Sequence, residues 1–371
     1  MSAFAAAEPW PERLGTESGE RGVIYEYLAA SSWFGRTLQA GADGSVSADA
    51  DAIEMLAASL GVTPGSLTYE SHSAHVVSVV PAKPGDAGDG YRYRVFASAE
   101  PCGRLHRTWF RVSHGIGDAA GIAVLMPGML GTPHRYVEAL ERSLHVRGWT
   151  VARMLVPPSR STERYSVAIN PAGDPSSIAS LAAELDTRTA ECAFAVDAMV
   201  SALERSNPDI VGTRRVVIGI SGTGMMLPAV LALRPERFDA AAVIGGGANA
   251  FAILRDSSYA RMLDSVRVTW LGDPPDATQT RALDRAYLDA AKLDAAVIST
   301  PRMGDRVLLV HASRDRAVPA SSGDLLWSAL GQPERWSTSV GHELLFVRAM
   351  LQIPELLDWL ESAADQEGGG R

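Results

Sequence analysis

Three residues whose types together support covalent nucleophilic chemistry each follow a short apolar run: Ser221, Asp315 and His342. A serine hydroxyl becomes a nucleophile when a neighbouring histidine takes its proton, and a carboxylate beyond the imidazole orients that base. Ser221 sits in Val216-Val217-Ile218-Gly219-Ile220-Ser221-Gly222-Thr223-Gly224, ahead of a helical pattern from Met225 to Leu233. Asp315 ends Val307-Leu308-Leu309-Val310-His311-Ala312-Ser313-Arg314-Asp315, just before Val318-Pro319. His342 follows Gly341 after a strand expected over Trp336 to Ser339, and an amphipathic helix is expected from Leu344 to Leu360. Each feature has a plainer alternative. Gly219 to Gly224 also reads as a Gly-rich turn between strand and helix, and Asp315, flanked by Arg314 and Arg316, as a cap or half of an ion pair. The Gly-rich string lacks the G-x-G-x-x-G spacing and lies far from the first βαβ unit, which sets a dinucleotide site aside.

The elements that must position these residues follow from hydrophobic period. Ile122 to Met126, Thr150 to Val156, Arg215 to Ile220, Ala240 to Ile244 and Val307 to His311 are short apolar runs. Between them lie helical patterns at Arg135 to Val146, Ser177 to Arg205 and Met225 to Leu233. Continuous apolar runs alternating with helices predict buried parallel strands joined by helical crossovers, with functional loops at the carboxyl ends of the strands. Upstream, His75 to Val80, Tyr91 to Ala97 and Arg107 to Val112 read as antiparallel leading strands. The fold class is thus α/β: a mostly parallel central sheet flanked by helices, with antiparallel leading strands and a helical lid insertion. Residues 1–70 are expected to be a helical extension, from the apolar spacing over Gly22 to Leu38 and Ala48 to Leu60. Residues 71–246 and 304–363 form the core, 247–303 the lid and 364–371 a disordered tail. Leu283 to Leu293 is the clearest lid helix.

Composition excludes several classes. Among 371 residues the formal charge is −9, the wrong sign for a nucleic-acid binder. No apolar run reaches the roughly 18 residues of a spanning helix, and the amino terminus lacks a basic region before its apolar run, so the expected location is the cytoplasm. Two cysteines, Cys102 and Cys192, make neither a disulfide framework nor a metal cluster and read as free buried thiols. No metal or cofactor is implied.

The string Gly-x-Ser-x-small between a buried strand and a helix resembles the nucleophile elbow of the α/β-hydrolase superfamily. The resemblance covers roughly Asp118 to Ala363. It implies Ser221 as nucleophile, His342 as base and Asp315 as the orienting acid, in the Ser–acid–His order of that fold. Gly219 and Thr223 are the elbow's flanking positions; Thr223 departs from the usual Gly or Ala. Leu125-Met126-Pro127-Gly128-Met129-Leu130 occupies the loop after the first central strand, where Pro127 replaces the usual His. The resemblance places a backbone oxyanion hole at Gly222 and at Met129 or Leu130. Of the eight histidines only His342 has such a context, and His311 reads as a buried core residue. The implied activity is hydrolysis of a small-molecule ester with an apolar portion through an acyl-serine, with Phe251, Tyr259, Met262 and Trp270 as candidate pocket walls. Thioesterase, peptidase or acyltransferase chemistry on the same residues, or a catalytically silent binding protein, are the alternatives. Oligomeric state stays open.

Overall fold

The computed structural model describes residues 23–27, 39–40, 46–47, 75–81, 91–97, 103–104, 106–128, 132–172, 175–206, 210, 212–260 and 265–368. Its leading strands are β1 (Val23–Tyr27), β2 (Gln39–Ala40), β3 (Val46–Ser47), β4 (His75–Pro81), β5 (Tyr91–Ala97), β6 (Gly103–Arg104) and β7 (His106–Ser113). Then come β8 (Gly121–Met126), α1 (His134–Val146), β9 (Trp149–Val156), β10 (Tyr165–Ile169), α2 (Pro175–Ser206), β11 (Arg214–Ile220), α3 (Gly222–Leu233) and β12 (Ala240–Ile244). Beyond these lie α4 (Ala250–Asp256), β13 (Val266–Trp270), α5 (Ala277–Ala290), α6 (Ala295–Ile298), α7 (Pro301–Gly304) and β14 (Val307–Ala312). The chain closes with α8 (Ala320–Ala329), β15 (Arg335–Thr338), α9 (His342–Leu351) and α10 (Ile353–Gly368).

Ten strands form one sheet in the order β1-β4-β5-β7-β9-β8-β11-β12-β14-β15. The pairs among β4, β5, β7 and β9 are antiparallel, and from β9 through β8 to β15 every pair is parallel. Burial explains the composition of the parallel part. All residues of β8, β12 and β14 are buried, so both faces need apolar side chains. Ile122, Val124 and Met126 join a cluster with α2, α3 and α8, while Ala123 and Leu125 join one with α1, α9 and α10. The mostly parallel sheet, its antiparallel leading strands and the helices on both faces agree with the expected fold class.

Four expectations need correction. Val23 to Tyr27 is a strand rather than part of a helix, because Val-Ile-Tyr-Glu-Tyr is β-branched and aromatic and pairs in parallel with β4. Gln39–Ala40 and Val46–Ser47, also within the expected helical extension, are strands as well, and its remaining residues lie outside the described ones. The helix expected over Leu344 to Leu360 is two helices, since Pro354 has no N–H to continue the first. The expected tail is helical as far as Gly368: Ala364 is fully buried and Asp365 pairs with Arg214 at 3.2 Å. Segment 247–303, expected as a helical lid, is not all helix. It contributes β13, whose Val-Arg-Val-Thr-Trp alternation pairs in parallel with β10 in a separate two-stranded sheet. Val167, Ile169, Ile178, Phe251, Leu283 and Tyr287 close a small core of their own around it. Among the described residues no helix is long and apolar enough to cross a membrane.

Candidate active site

The sheet ends bring Ser221, His342 and Asp315 together. Strand β11 ends at Ile220, and Ser221 turns the chain into α3 with φ 55° and ψ −122°, a left-handed conformation. Its N–H donates to Ile244 O at 2.8 Å, which ties the turn to the end of β12. The turn is possible because strand and helix nearly touch at Gly219. A Cβ there would lie 2.9 Å from Leu227 Cδ1 and 3.0 Å from Gly224 Cα. Gly128 brings the loop after β8 equally close: a Cβ on it would stand 2.8 Å from Ser221 Cβ.

Thr223, the irregular position of the motif, has a use for its hydroxyl. The residue is fully buried; its Oγ1 donates to Met126 O, at the end of β8, and accepts from Ile220 N at 3.2 Å. A Gly or Ala would leave those backbone groups without this partner. The side chain thus pins the turn carrying Ser221 to the loop that follows β8.

His342 is the first residue of α9 and is 1% exposed. Ser221 Oγ lies 3.0 Å from its Nε2, and its Nδ1 lies 2.6 Å from Asp315 Oδ2. The other oxygen of Asp315 accepts from Ala317 N and Val318 N, each at 2.9 Å. The carboxylate is therefore engaged by the imidazole and its own loop rather than by Arg314 or Arg316. Because an ionised carboxylate only accepts, Nδ1 carries the ring hydrogen and Nε2 is left to accept from the serine hydroxyl. Phe346 and Tyr259 stand edge-on to the ring at 5.1 and 6.1 Å between centroids. The Tyr259 hydroxyl donates to Glu343; burial, and then that carboxylate, push the phenol up to about 12.

A cavity opens above Ser221, lined among others by Gly222, Met225 and Met226 of α3 and by Ile253, Leu254 and Tyr259. Gly222, the first residue of α3, is at the wall beside Ser221; Met129 and Leu130, the other oxyanion candidates, lie outside the described residues, as does Met262. Of the other proposed walls only Tyr259 lines the cavity. Phe251 of α4 and Trp270 of β13 instead pack on each other at 6.5 Å in the small accessory core. Ser161, Asp186, Arg188 and Asp294 also line the cavity and were not anticipated. They come from α2 and short connecting turns with no motif of their own, and only the Asp294 cap on α6 leaves a sequence signal. His311 is 7% exposed within β14, as its apolar run implied, and burial holds its imidazole below the usual histidine range. Cys192 is a buried free thiol, pushed up to about 12 by burial. Among the described residues no group of His, Cys, Asp or Glu is placed to hold a metal ion.

The chain has an α/β-hydrolase fold, with a serine, histidine and aspartate in hydrogen-bond contact at the carboxyl ends of its parallel strands. No protein-family model and no curated protein matches it. Among solved structures it is similar to acetyl xylan esterase 1 from Thermoanaerobacterium sp. JW/SL YS485, at 15% identity over 75% of this chain and 87% of that one, with a TM-score of 0.46. It is also similar to Est1E from Butyrivibrio proteoclasticus, at 14% identity over 69% of this chain and 95% of that one, TM-score 0.42. A third likeness is to the Pyrococcus horikoshii acylaminoacyl peptidase, at 12% identity over 80% of this chain and 51% of that one, TM-score 0.43. These likenesses carry no information on substrate.

Proposed function

We propose that the protein is a serine hydrolase that cleaves a carboxylic ester through an acyl-serine intermediate. The observation that carries this reading is the unbroken relay from Ser221 Oγ through His342 to Asp315, with contacts of 3.0 and 2.6 Å. In the first half-reaction His342 Nε2 takes the Ser221 proton as Oγ adds to the ester carbonyl, and returns it to the leaving alcohol. Backbone N–H groups of Gly222 and of Met129 or Leu130 hold the oxyanion. Water, deprotonated by the same imidazole, then releases the acid. The apolar wall formed by Met225, Met226, Ile253 and Leu254 supports an apolar substrate portion. The 247–303 segment acts as a cap, since its residues line the cavity together with Ser221 and the start of α3.

The test is covalent labelling by a fluorophosphonate, with turnover of p-nitrophenyl esters, a thioester and an aminoacyl amide measured in parallel. Labelling that disappears in Ser221→Ala, with esters turned over fastest, is expected. Labelling with turnover of only the thioester or the amide would move the reading to thioesterase or peptidase. Failure of the intact protein to label would leave a silent binding protein.

A further inference from the structure

When a serine adds to an ester carbonyl, the site dictates where each substituent of the carbon goes. Ser221 Oγ takes one place, and the oxyanion turns toward the backbone amides of Gly222 and the loop after β8. The leaving heteroatom must stand within reach of His342 Nε2, which returns the proton to it. The acyl chain takes the direction that remains. A cavity residue that stands against the imidazole therefore borders the leaving group rather than the acyl chain.

The two rings beside that imidazole differ in position. Phe346 is fully buried and belongs to the core. Tyr259 lines the cavity together with Ser221, its ring nearly perpendicular to that of His342, at 89°. Its backbone and its side chain are held separately. Ser258 N donates to Arg316 O at 2.6 Å and Ser257 Oγ to Ala317 O at 2.6 Å, so the turn carrying Tyr259 is fastened to the loop of Asp315. The phenol donates to Glu343, the residue after His342 on α9. The ring is thus braced against the base from two sides.

We propose that Tyr259 is a specificity determinant that walls the leaving-group subsite, with Glu343 as the positioning residue that braces it. The substrate class is then an ester of a small alcohol. This rests on the esterase reading, which puts the scissile carbonyl at Ser221. A ring held at both ends cannot swing aside, so it rejects a branched or cyclic alcohol by overlap. The acyl portion is left to the rest of the wall, where Met225, Met226, Ile253 and Leu254 lie. Discrimination by the size of one group in one subsite amounts to about tenfold or more.

The experiment compares kcat/KM across two series of esters. One varies only the alcohol (methyl, isopropyl and cyclohexyl butanoate), the other only the acid (methyl acetate, butanoate and octanoate). The natural chain is expected to favour methyl over cyclohexyl butanoate by about tenfold. Tyr259→Ala should bring that ratio near one and leave the order of the acid series as it was. Tyr259→Phe, which keeps the ring and loses the bond, and Glu343→Ala should each relax the ratio by about threefold. The double variant should go no further, because both changes remove one and the same contact. Glu343→Gln, whose amide oxygen still accepts from the phenol, should keep the natural ratio. No preference among alcohols in the natural chain, a preference that survives Tyr259→Ala, an equal change in the acid series, or additive effects of Tyr259→Phe and Glu343→Ala would each overturn the proposal and leave the esterase reading standing. A natural chain that turns over no ester fails that reading, and the proposal falls with it.

Discussion

Among the described residues two clusters join serine, histidine and carboxylate, and they place the carboxylate differently. At the sheet ends, Asp315 holds Nδ1 of His342, so Nε2 accepts from Ser221. At the end of β7, Ser113 Oγ lies 2.6 Å from His145 Nε2, a closer contact, but its hydroxyl donates to Glu141 Oε1 at 3.3 Å. Glu141 thus contacts the serine, whereas Asp315 contacts the far nitrogen of its histidine, so Glu141 does not orient His145 as a base for Ser113. Glu141 is claimed besides by Arg111 at 2.6 Å and Arg153 at 3.1 Å. Ser113 also lies in a regular strand with no left-handed backbone, whereas Ser221 stands on a turn at the head of a helix. Residue types and a short serine–histidine contact are therefore insufficient. The acid must sit on the far nitrogen, and the backbone must present the hydroxyl to a cavity.

The sharpest break between the clusters is a pair of alanine substitutions. Ser221→Ala should abolish fluorophosphonate labelling and lower ester turnover by roughly 10⁴-fold or more, while Ser113→Ala should label at the wild-type rate. Next, Asp315→Asn should cost about 10³- to 10⁴-fold in kcat, because an amide no longer fixes the imidazole tautomer. Glu141→Gln should leave kcat in place and lower unfolding free energy by about 3 kcal/mol, since it strips the counter-charge from two largely buried arginines.

Stability against pH should report the second cluster. Burial pushes Glu141 up, but Arg111 and Arg153 outweigh it and hold the carboxyl below its ordinary range. Burial also lowers His145. Both folded-state values lie below the unfolded ones, so each contribution is present above the unfolded value and is lost as pH falls through the folded one. The melting temperature should therefore begin to drop below about pH 6.5 and steepen below about pH 4. His145→Gln should shrink the first phase and leave the part that belongs to His311, and Glu141→Gln should shrink the second, which Glu343 shares. A smaller effect is expected from Thr223→Val, which keeps the shape and loses the bond to Met126 O. A fall in kcat of about tenfold, recovered in Thr223→Ser, would mark the hydroxyl as positioning the turn.

How much of this was legible in sequence follows the physics of burial. Strands β8, β11, β12 and β14 are covered on both faces, so their apolar runs announce them, and the residues just beyond them bracket the site. The pair β10 and β13 is half-exposed, and a five-residue alternation between longer elements carries little signal. Strand β1 was misread because its apolar residues also fit a helical stripe, and only its pairing with β4 decides. Asp186 and Arg188, which line the cavity, left no signal because they lie inside the long helix α2 without a motif of their own.

The backbone at Ser221 has a thermodynamic consequence. A left-handed serine opposes folding by about 1 kcal/mol or more, and the surrounding contacts hold it there. Glycine adopts that conformation freely and alanine does not, so Ser221→Gly should melt higher than both Ser221→Ala and the natural chain. The chain thus carries its nucleophile on a backbone that works against its own folding equilibrium.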